Sequence, residues 1–487
     1  MSPRGIRPKR LRLAGSVRGE SGSLTNCDHH LLQYARPGDS GVEGELVIGL
    51  DFGTSASKVV IQAPEIQGSP SYAVNFGEFS HASMPYLLPT TLSVTPSGTC
   101  VLGPLDGVSL IKDIKLKLFS GSEQLNSSRI AVEQDLSGET EAVAYLALLL
   151  RQARRWFLDE KRDVVGHFRR LRWSVNLGVP SPCIEDNEEN RRFQRVGKAA
   201  WMLSVLPEEH ITFGRANREL KHVEDPEYWE TDDALTCDFD IIPEIAGGAV
   251  GYALSEFRRE GLHLMVDVGA STVDVCSFML HAREGSDRYD LLTADVQRLG
   301  TIALHDERIR ALKSVYERQA EHLRDSHDPL APIARDIEPY LVPREKLLSA
   351  GDRAEAELKE RFQTMLRRVI RDAKVCRDPN APVWRNGRLP ILLIGGGSKL
   401  QFFHSAVEEV SAWVRSLAGN DGAILLPVSV PDSLVDKPGE YHRLAVAYGL
   451  SHRAMDIGSI TSADDTDDIE PLPRIDLEDN YTGKEKV

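Results

Sequence analysis

The sequence has few cysteines, and no two of them are close together. Its six cysteines are scattered through 487 residues, whereas zinc sites and redox motifs usually contain pairs of cysteines with two residues between them. A disulfide framework is typical of short secreted chains, so the scattered pattern argues against it. We therefore expect reduced thiols, as in a cytoplasmic protein.

Long apolar runs and a basic surplus are also missing. The longest apolar run near a predicted helix is VAYLALLL at 143–150, which is too short to span a bilayer. The first residues lack the apolar stretch of a signal peptide. The formal net charge is −15, which is unfavourable for binding nucleic acids or anionic membranes. We expect a cytoplasmic protein with no membrane span and no nucleic-acid partner.

Apolar periodicity is absent from both ends. Residues 1–44 are rich in Gly, Ser, Pro and Arg, and residues 456–487 are acidic, with SADDTDDIEP in their centre. Such segments bury too little apolar surface to fold, so we expect a disordered basic arm and a disordered acidic tail. An anchoring or nucleic-acid-binding role for the arm is the alternative.

Between these ends, predicted strands alternate with predicted helices, which is typical of α/β proteins. The long helical region at 344–373 has a single glycine, Gly351, where we expect a break. Strand patterns occur at 45–53, 56–63, 172–180, 264–275 and 389–394, and helical patterns at 140–160, 188–206, 243–257, 344–373 and 442–455.

Two distant segments share one pattern. LVIGLDFGTSASKVV at 46–60 and LMVDVGASTVDV at 264–275 each run from an apolar strand into an aspartate, a glycine two residues later, small hydroxylated residues and a second strand. Their wide separation indicates a duplication on the scale of a domain rather than a short repeat. The first copy contains Asp51, Gly53, Thr54 and Ser55, and the second contains Asp267, Gly269, Ser271 and Thr272.

These residue types suit a phosphate and a metal ion. Glycine lets the backbone approach a ligand closely, and exposed N–H groups and hydroxyls donate hydrogen bonds to phosphate oxygens. Mg²⁺ keeps most of its waters, so one or two carboxylates are enough to hold it. Two such hairpins facing each other would bind a polyphosphate from both sides. Each hairpin alone is also compatible with an ordinary strand–turn–strand unit.

A third segment fits the pair of hairpins. ILLIGGGSKL at 391–400 runs from an apolar strand through three glycines and a serine into a predicted helix. Glycines at such a turn allow a flat ligand group to lie against the backbone.

Together with PEIAGGAVGYAL before the second hairpin and LAVAYGL near the end, these motifs resemble the actin-like ATPase superfamily. The closest resemblance is to the ATPase domain of the seventy-kilodalton heat-shock chaperones, over about 45–454. The resemblance implies an α/β fold of two lobes, each with a ribonuclease H-like core, and a nucleotide cleft between the lobes. Lobe I would span 45–260 and lobe II 261–455, with the last helix, at about 440–454, returning to lobe I.

The resemblance also implies the ligands of the site. Asp51 and Asp267 would hold Mg²⁺ through water, and Asp274 would help to hold a monovalent cation such as K⁺. The residues implied to bind ATP or ADP are Gly53, Thr54, Ser55, Gly269, Ala270, Ser271 and Thr272 at the phosphates, and Gly395, Gly396, Gly397 and Ser398 beside the nucleoside.

Two further motifs imply catalytic residues. DIKLKLF resembles the chaperones' AIKRLIG and PEIAGGAVGYAL resembles their EPTAAALAYGL, which implies that Lys115 lies near the γ-phosphate and that Glu244 orients the attacking water. Thr272 joins them as a catalytic residue, and Pro180 matches the inter-lobe proline. Alternatively, Lys115 belongs to an ordinary surface cluster of lysines, and Glu244 is a solvated acid at a helix N-terminus.

The sequence departs from the chaperones in several places. The second hairpin has Ala270 and Ser271 where the family has glycines, and Arg443 replaces an acid before AVAYG. The segment between about 300 and 391 is shorter than its counterpart, which puts the adenine contacts in doubt. Only the acidic tail is visible after the region of resemblance, so we expect no client-binding domain and no apolar linker.

We therefore predict a chaperone-like ATP-binding protein that hydrolyses ATP slowly to ADP and phosphate. Opening and closing of its lobes would regulate a partner protein or co-chaperone. One alternative is a sugar-type small-molecule kinase of the same superfamily, although no clear motif for a catalytic aspartate base is visible. Another is a nucleotide-binding scaffold with little turnover, which Ala270 and Ser271 leave open.

Overall fold

The computed structural model describes residues 42–80, 84–119, 138–166, 168–180, 187–206, 210–225, 237–281, 286–313 and 348–461. These residues form a mixed α/β protein around two six-stranded sheets. Most of the expected basic arm and acidic tail lies outside the described residues. At their inner edges, the first strand already begins at Val42 and the last strand ends at Thr461.

The strands in chain order are β1 (Val42–Asp51), β2 (Ala56–Gln62), β3 (Ser71–Ala73), β4 (Leu88–Pro89), β5 (Leu92–Val94), β6 (Cys100–Leu102), β7 (Leu110–Ile111), β8 (Phe168–Val179), β9 (Asp238–Pro243), β10 (Gly261–Val268), β11 (Val273–Leu280), β12 (Arg288–Gln297), β13 (Leu389–Ile394), β14 (Ala423–Leu425) and β15 (Ser459–Thr461).

The α-helices are α1 (Ile114–Phe119), α2 (Gly138–Glu160), α3 (Arg162–Val165), α4 (Asn187–Val205), α5 (Phe213–His222), α6 (Glu244–Ala253), α7 (Thr301–Lys313), α8 (Leu348–Asp372), α9 (Gln401–Ala418), α10 (Tyr441–Leu450) and α11 (Ala454–Ile457). None of the helices in the described ranges is both long enough and apolar enough to cross a membrane.

The two large sheets share one strand order. The first runs β3-β2-β1-β8-β9, with β4 also paired to β2, and the second contains β12-β11-β10-β13-β14, with β15 added beside β12. In the first sheet, β3, β2 and β1 are antiparallel neighbours, and β8 and β9 run parallel to β1. In the second sheet, β12, β11 and β10 are antiparallel neighbours, and β13 and β14 run parallel to β10. The two motif hairpins, β1–β2 and β10–β11, therefore occupy the same position in their sheets. A third, small antiparallel sheet has the order β6-β5-β7 and packs in the core cluster of the first large sheet.

Each large sheet has buried apolar side chains on both faces. Alternate residues of a strand point to opposite sides, so neighbouring residues of one strand belong to different clusters. In β1, Leu46 and Ile48 belong to the core cluster shared with α2 and α4, whereas Gly49 lies against the backbone of α10. In β10, Leu264 and Val266 pack in a cluster with α8 and α9, whereas Met265 faces the cluster that contains α6 and α10.

Helices α6 and α10 connect the two sheets. Their side chains form one apolar cluster with residues from the inner faces of both sheets. The helices touch through glycines: a Cβ on Gly449 would overlap the carbonyl oxygen of Gly247. This contact fixes the position of the N-terminus of α6, where Glu244 is the first helical residue.

One predicted helix break is wrong. Helix α8 continues through Gly351 from Leu348 to Asp372. A single glycine inside a helix costs only about 1 kcal/mol, and burial of apolar side chains further along α8, such as Phe362 and Leu366, offsets that cost.

Candidate functional site

A cleft of about 480 Å³ lies where the turns of the β1–β2 and β10–β11 hairpins meet. It receives side chains from both large sheets, from α1 and from the N-terminus of α6. Most of the residues predicted from the sequence therefore come together. Those lining the cleft are Asp51, Gly53, Thr54, Ser55, Lys115, Pro180, Glu244, Asp267, Gly269, Ala270, Ser271, Thr272, Asp274, Gly395 and Gly396.

Two predicted residues are not among those that line the cleft. Gly397 and Ser398 are buried in a short 3-10 turn, Gly396–Lys399. Gly397 packs so closely on Val268 and Thr301 that a Cβ there would overlap them. The hydroxyl of Ser398 is buried and has no hydrogen-bond partner among the described residues. Both residues support the turn, while the half-buried Gly395 and Gly396 line the cleft.

The strand register explains which side chains meet in each hairpin. Residues directly opposite each other in an antiparallel pair project from the same face. Asp51 is opposite Lys58 in the first hairpin, and their side chains form an ion pair with a Nζ–Oδ2 distance of 2.9 Å. In the second hairpin Asp267 is opposite Asp274. One hairpin therefore pairs an acid with a base, and the other pairs two acids.

The pair of acids is electrostatically unfavourable without a cation. Burial, together with the nearby Asp51, raises the pKa of Asp267 to about 7. Burial, followed by the charges of Glu244 and Asp267, raises the pKa of Asp274 well above its usual range. Oδ1 of Asp274 is buried and has no hydrogen-bond partner among the described residues.

Lys115 and Glu244 form a second ion pair, with a Nζ–Oε1 distance of 2.7 Å. Both residues are buried. Burial alone would lower the pKa of Lys115, but Glu244, Asp51 and Asp274 raise it above its usual value. Lys115 is therefore charged and is not an ordinary surface lysine, and Glu244 is not a solvated acid.

The carboxylates of the cleft fit a metal ion held through water. Within the described part of the chain, no three His, Cys, Asp or Glu side chains are grouped closely enough to bind one metal ion directly. Mg²⁺ retains several waters and needs only one or two carboxylates. Asp51 and Asp267 line the cleft and could provide these, and the oxygen of Asp274 without a hydrogen-bond partner could accept a further cation.

Sequence reasoning missed several charged residues of the cleft, namely Lys58, Glu189, Arg298, Lys399 and Glu440. Lys58 had a detectable signal, because the strand–turn–strand pattern places it opposite Asp51. The other four are brought in by tertiary structure. Arg443, noted above as a departure, also lines the cleft. Its Nε lies 2.9 Å from Oε2 of Glu440, and a Cβ on Gly396 would be 3.0 Å from its Nη1.

No protein-family model matches the sequence, and no curated protein matches it. The functional conclusion therefore rests on the fold and on the geometry of the cleft.

Proposed function

We propose that this protein is an actin-like ATPase and that its cleft binds ATP with Mg²⁺. One observation carries the proposal: two hairpins with the same motif, at the same position in two sheets of the same strand order, meet at one cleft. Such a duplicated arrangement supports two lobes, each with a ribonuclease H-like core, with the second lobe beginning at β10.

The phosphates would bind between the two hairpin turns. The two turns at Gly53 and Gly269 and the hydroxyl-bearing residues Thr54, Ser271 and Thr272 line this part of the cleft. They offer hydrogen-bond donors that suit phosphate oxygens. The nucleoside would lie toward Gly395 and Gly396, beside Arg443.

Phosphoryl transfer requires mainly positioning and neutralisation of charge. Mg²⁺ held by Asp51 and Asp267 would neutralise phosphate charge. Lys115 would donate to the γ-phosphate, and Glu244, whose carboxylate contacts Lys115 at 2.7 Å, would orient the attacking water. In this role Glu244 acts as a water-positioning group next to a fixed positive charge.

The biological output that we propose is regulation of a partner protein in the cytoplasm. The α6–α10 pair connects the cleft to both sheets, so nucleotide exchange and slow hydrolysis at the cleft would change the closure of the two lobes. A partner or co-chaperone that recognises one of the two states would then be released or retained.

Calorimetric titration with ATP and ADP, combined with measured phosphate release, tests the proposal. We expect Mg²⁺-dependent ATP binding and slow hydrolysis that a panel of sugars leaves unchanged. Sugar-dependent consumption of ATP would indicate a small-molecule kinase, and binding without hydrolysis would indicate a nucleotide-binding scaffold. Absence of nucleotide binding would contradict the proposal.

A further inference from the structure

Thr90 holds the turn of the first hairpin from the protein interior. It follows β4, which pairs with β2 beside this turn. The hydroxyl of Thr90 donates to the carbonyl oxygen of Gly53 at 2.7 Å, and its N–H donates to the carbonyl oxygen of Ser55 at 2.9 Å. Thr90 is buried and is not among the residues that line the cleft, so it leaves the cleft side of the turn open to a ligand.

The direction of the hydrogen bonds around Thr90 follows from the chemistry of the groups. The carbonyl oxygen of Gly53 can only accept, so the single hydroxyl proton of Thr90 is used in that bond. Oγ of Ser57 lies 3.1 Å from Oγ1 of Thr90, and it must therefore be the donor of this second bond. Ser57 is fully buried. Hydrogen bonds in such a buried chain polarise and strengthen one another.

The bond to Gly53 determines where the next N–H group points. In a planar trans peptide, the C=O of one residue and the N–H of the following residue point in opposite directions. The peptide between Gly53 and Thr54 has its oxygen on the buried Thr90. The N–H of Thr54, a residue that lines the cleft, is therefore directed away from the core, where an anion in the cleft can accept it.

The glycine in this turn makes such a restraint necessary. A Cβ on Gly53 would lie 2.2 Å from the carbonyl oxygen of Ala56, so this position requires glycine. Glycine also leaves the adjoining peptide more freedom to rotate than any other residue does. After half a turn, the peptide would present its carbonyl oxygen to the cleft and would repel a phosphate.

The second turn is held in a different way, without a side chain. At the start of α7, the N–H groups of Thr301 and Ile302 donate to the carbonyl oxygens of Gly269 and Ala270 at 3.1 and 2.9 Å. These bonds join backbone to backbone. The orientation of the first turn, by contrast, depends on one hydroxyl group.

We propose that Thr90 is a positioning residue of the nucleotide site, which orients the N–H of Thr54 so that it donates to a phosphate oxygen. This inference rests on the proposed function. Without the hydroxyl, the buried oxygen of Gly53 loses its hydrogen bond, which is costly inside a protein. The peptide then rotates toward the cleft, where water satisfies the oxygen. A carbonyl oxygen replaces the N–H at the phosphate position, and nucleotide binding weakens.

The test combines two measurements on the full chain. Calorimetric titration with ATP in saturating Mg²⁺ measures binding, and hydrogen–deuterium exchange without nucleotide measures how firmly residues 53–56 are held. The variants are Thr90→Val, which keeps the shape but removes the hydroxyl, and Thr90→Ser, which keeps the hydroxyl. Thermal unfolding of each variant establishes that it is folded.

The matched control is Ser93→Ala. Ser93 is fully buried, and its hydroxyl donates to the carbonyl oxygen of another glycine, Gly103, at the same distance of 2.7 Å. Neither residue is among those that line the cleft. A loss of ATP binding that merely reflects lower stability would therefore appear in Ser93→Ala as well.

We expect Thr90→Val to weaken ATP binding at least about tenfold, as for loss of a hydrogen bond to a charged group. Exchange of residues 53–56 should become about fivefold faster or more, as for loss of one buried hydrogen bond. Thr90→Ser and Ser93→Ala should bind ATP within about threefold of the parent.

Unchanged ATP affinity or unchanged exchange in Thr90→Val would overturn the inference. So would an equal loss of binding in Ser93→Ala, or a Thr90→Ser variant as weak as Thr90→Val. In these cases the proposed nucleotide site remains. A parent that binds no ATP would instead refute the proposed function, and the inference with it.

Discussion

At the scale of single residues, the cross-strand neighbour of each cleft aspartate determines its electrostatic environment. Asp51 has Lys58 opposite and Asp267 has Asp274 opposite. The same motif therefore produces an aspartate already paired with a base in one hairpin and an aspartate with a raised pKa in the other. The two aspartates should respond differently to substitution.

Asp51→Asn and Asp267→Asn should both weaken Mg·ATP binding, because each removes a carboxylate available to the ion. Loss of a group that holds a metal typically lowers affinity about 10- to 100-fold. Asp267→Asn should also leave the nucleotide-free chain at least as stable as the parent, because it removes repulsion with Asp274. Titrations with and without Mg²⁺ measure the first effect, and denaturant unfolding measures the second. Asp106→Asn, at an exposed position, is the control. Unchanged Mg²⁺ dependence in both cleft variants would contradict the assignment.

Glu244→Gln should retain ATP binding but hydrolyse bound ATP at least roughly tenfold more slowly. A water-orienting group acts on the transition state more than on the bound ground state, and such groups contribute about 10² to 10⁴ in rate. Single-turnover hydrolysis of pre-bound ATP isolates the chemical step from product release.

The control for Glu244→Gln is Glu141→Gln, which also removes an acid paired with a lysine at 2.7 Å but outside the cleft lining. Because the Lys115–Glu244 pair is buried, unfolding of both variants must be measured in parallel. An unchanged single-turnover rate for Glu244→Gln would mean that this residue only holds Lys115 in place.

Residue spacing alone predicted which hairpin residues meet, because Asp, Gly and hydroxyl positions repeat in both copies. It could not predict that Gly397 and Ser398 turn away from the cleft, since this depends on packing against Val268 and Thr301. Charges contributed by separate elements, such as Arg298 and Glu440, leave no local pattern in the sequence.

At the scale of secondary-structure elements, the contact between α6 and α10 depends on the absence of side chains. Gly449→Ala should destabilise the protein by about 1–3 kcal/mol or more, because the new methyl group would overlap the carbonyl of Gly247. Urea unfolding measures the loss. Gly214→Ala is the control, since this helical glycine in α5 has open space around it and alanine favours helix. Equal stability of Gly449→Ala and the parent would show that the helices separate without cost.

Strand β10 contains a buried histidine that should make stability depend on pH. Burial lowers the pKa of His263 to about 4. Its ring stacks on Phe278 and contacts the hydroxyl of Tyr252. In the unfolded chain the histidine side chain has its ordinary pKa of about 6.5. Between pH 6.5 and 4, His263 therefore binds a proton in the unfolded chain but not in the folded chain. Stability conferred by neutral His263 is present above pH 6.5, is lost as the pH falls through this window, and changes no further below pH 4.

The loss should reach up to about 3 kcal/mol at pH 4. His263→Gln should flatten this part of the stability profile, although its stability at pH 8 should be lower because the ring packing is lost. Chemical unfolding at several pH values, compared between the parent and the variant, checks the difference in slope. Parallel profiles would show that His263 is protonated in the folded chain.

Long elements were predictable from the sequence, whereas short ones were not. Apolar patterns located β1, β10, α2 and α4, because each has enough residues to show a period. Strands β4–β7 have two or three residues each, which is too few for a period, and their pairing depends on tertiary contacts. The break expected at Gly351 was wrong because buried side chains further along the helix outweighed a local preference.

At the scale of the whole molecule, the last strand that the structure describes, β15, indicates where the chain can be shortened. Truncation after Thr461 should leave the melting temperature and the ATP affinity nearly unchanged, since the acidic residues beyond it lack apolar periodicity. Truncation after Met455 should lower the melting temperature by several degrees. It removes buried Ile457 and strand β15, which pairs with β12. Calorimetric scans of the two truncated chains provide the test. Equal melting temperatures for both truncations would show that β15 contributes nothing to stability.

The presence of two similar sheets was predictable only from the repeated hairpin motif. Repetition of the hairpin implied two similar units, and both sheets have one strand order. Their mutual placement depends on α6 and α10, whose small residues were visible in PEIAGGAVGYAL and LAVAYGL. The sequence did not show that these two helices would pack against each other, because a close helix contact requires small residues on both helices at matching positions.

The glycine contact between α6 and α10 makes this joint mechanically stiff. Glu244 begins α6 in the cleft, and Gly247 meets the backbone of Gly449 within one helical turn. No compressible layer of side chains lies between the two backbones at this point to absorb a displacement. Three residues after the end of α10, Arg453 donates to Glu45 of β1 with a Nε–Oε2 distance of 2.6 Å, so a displacement of α10 would also act on β1. If the cleft binds a ligand as proposed, this rigid helix pair would carry a displacement from the cleft to β1 without losing it in side-chain rearrangement.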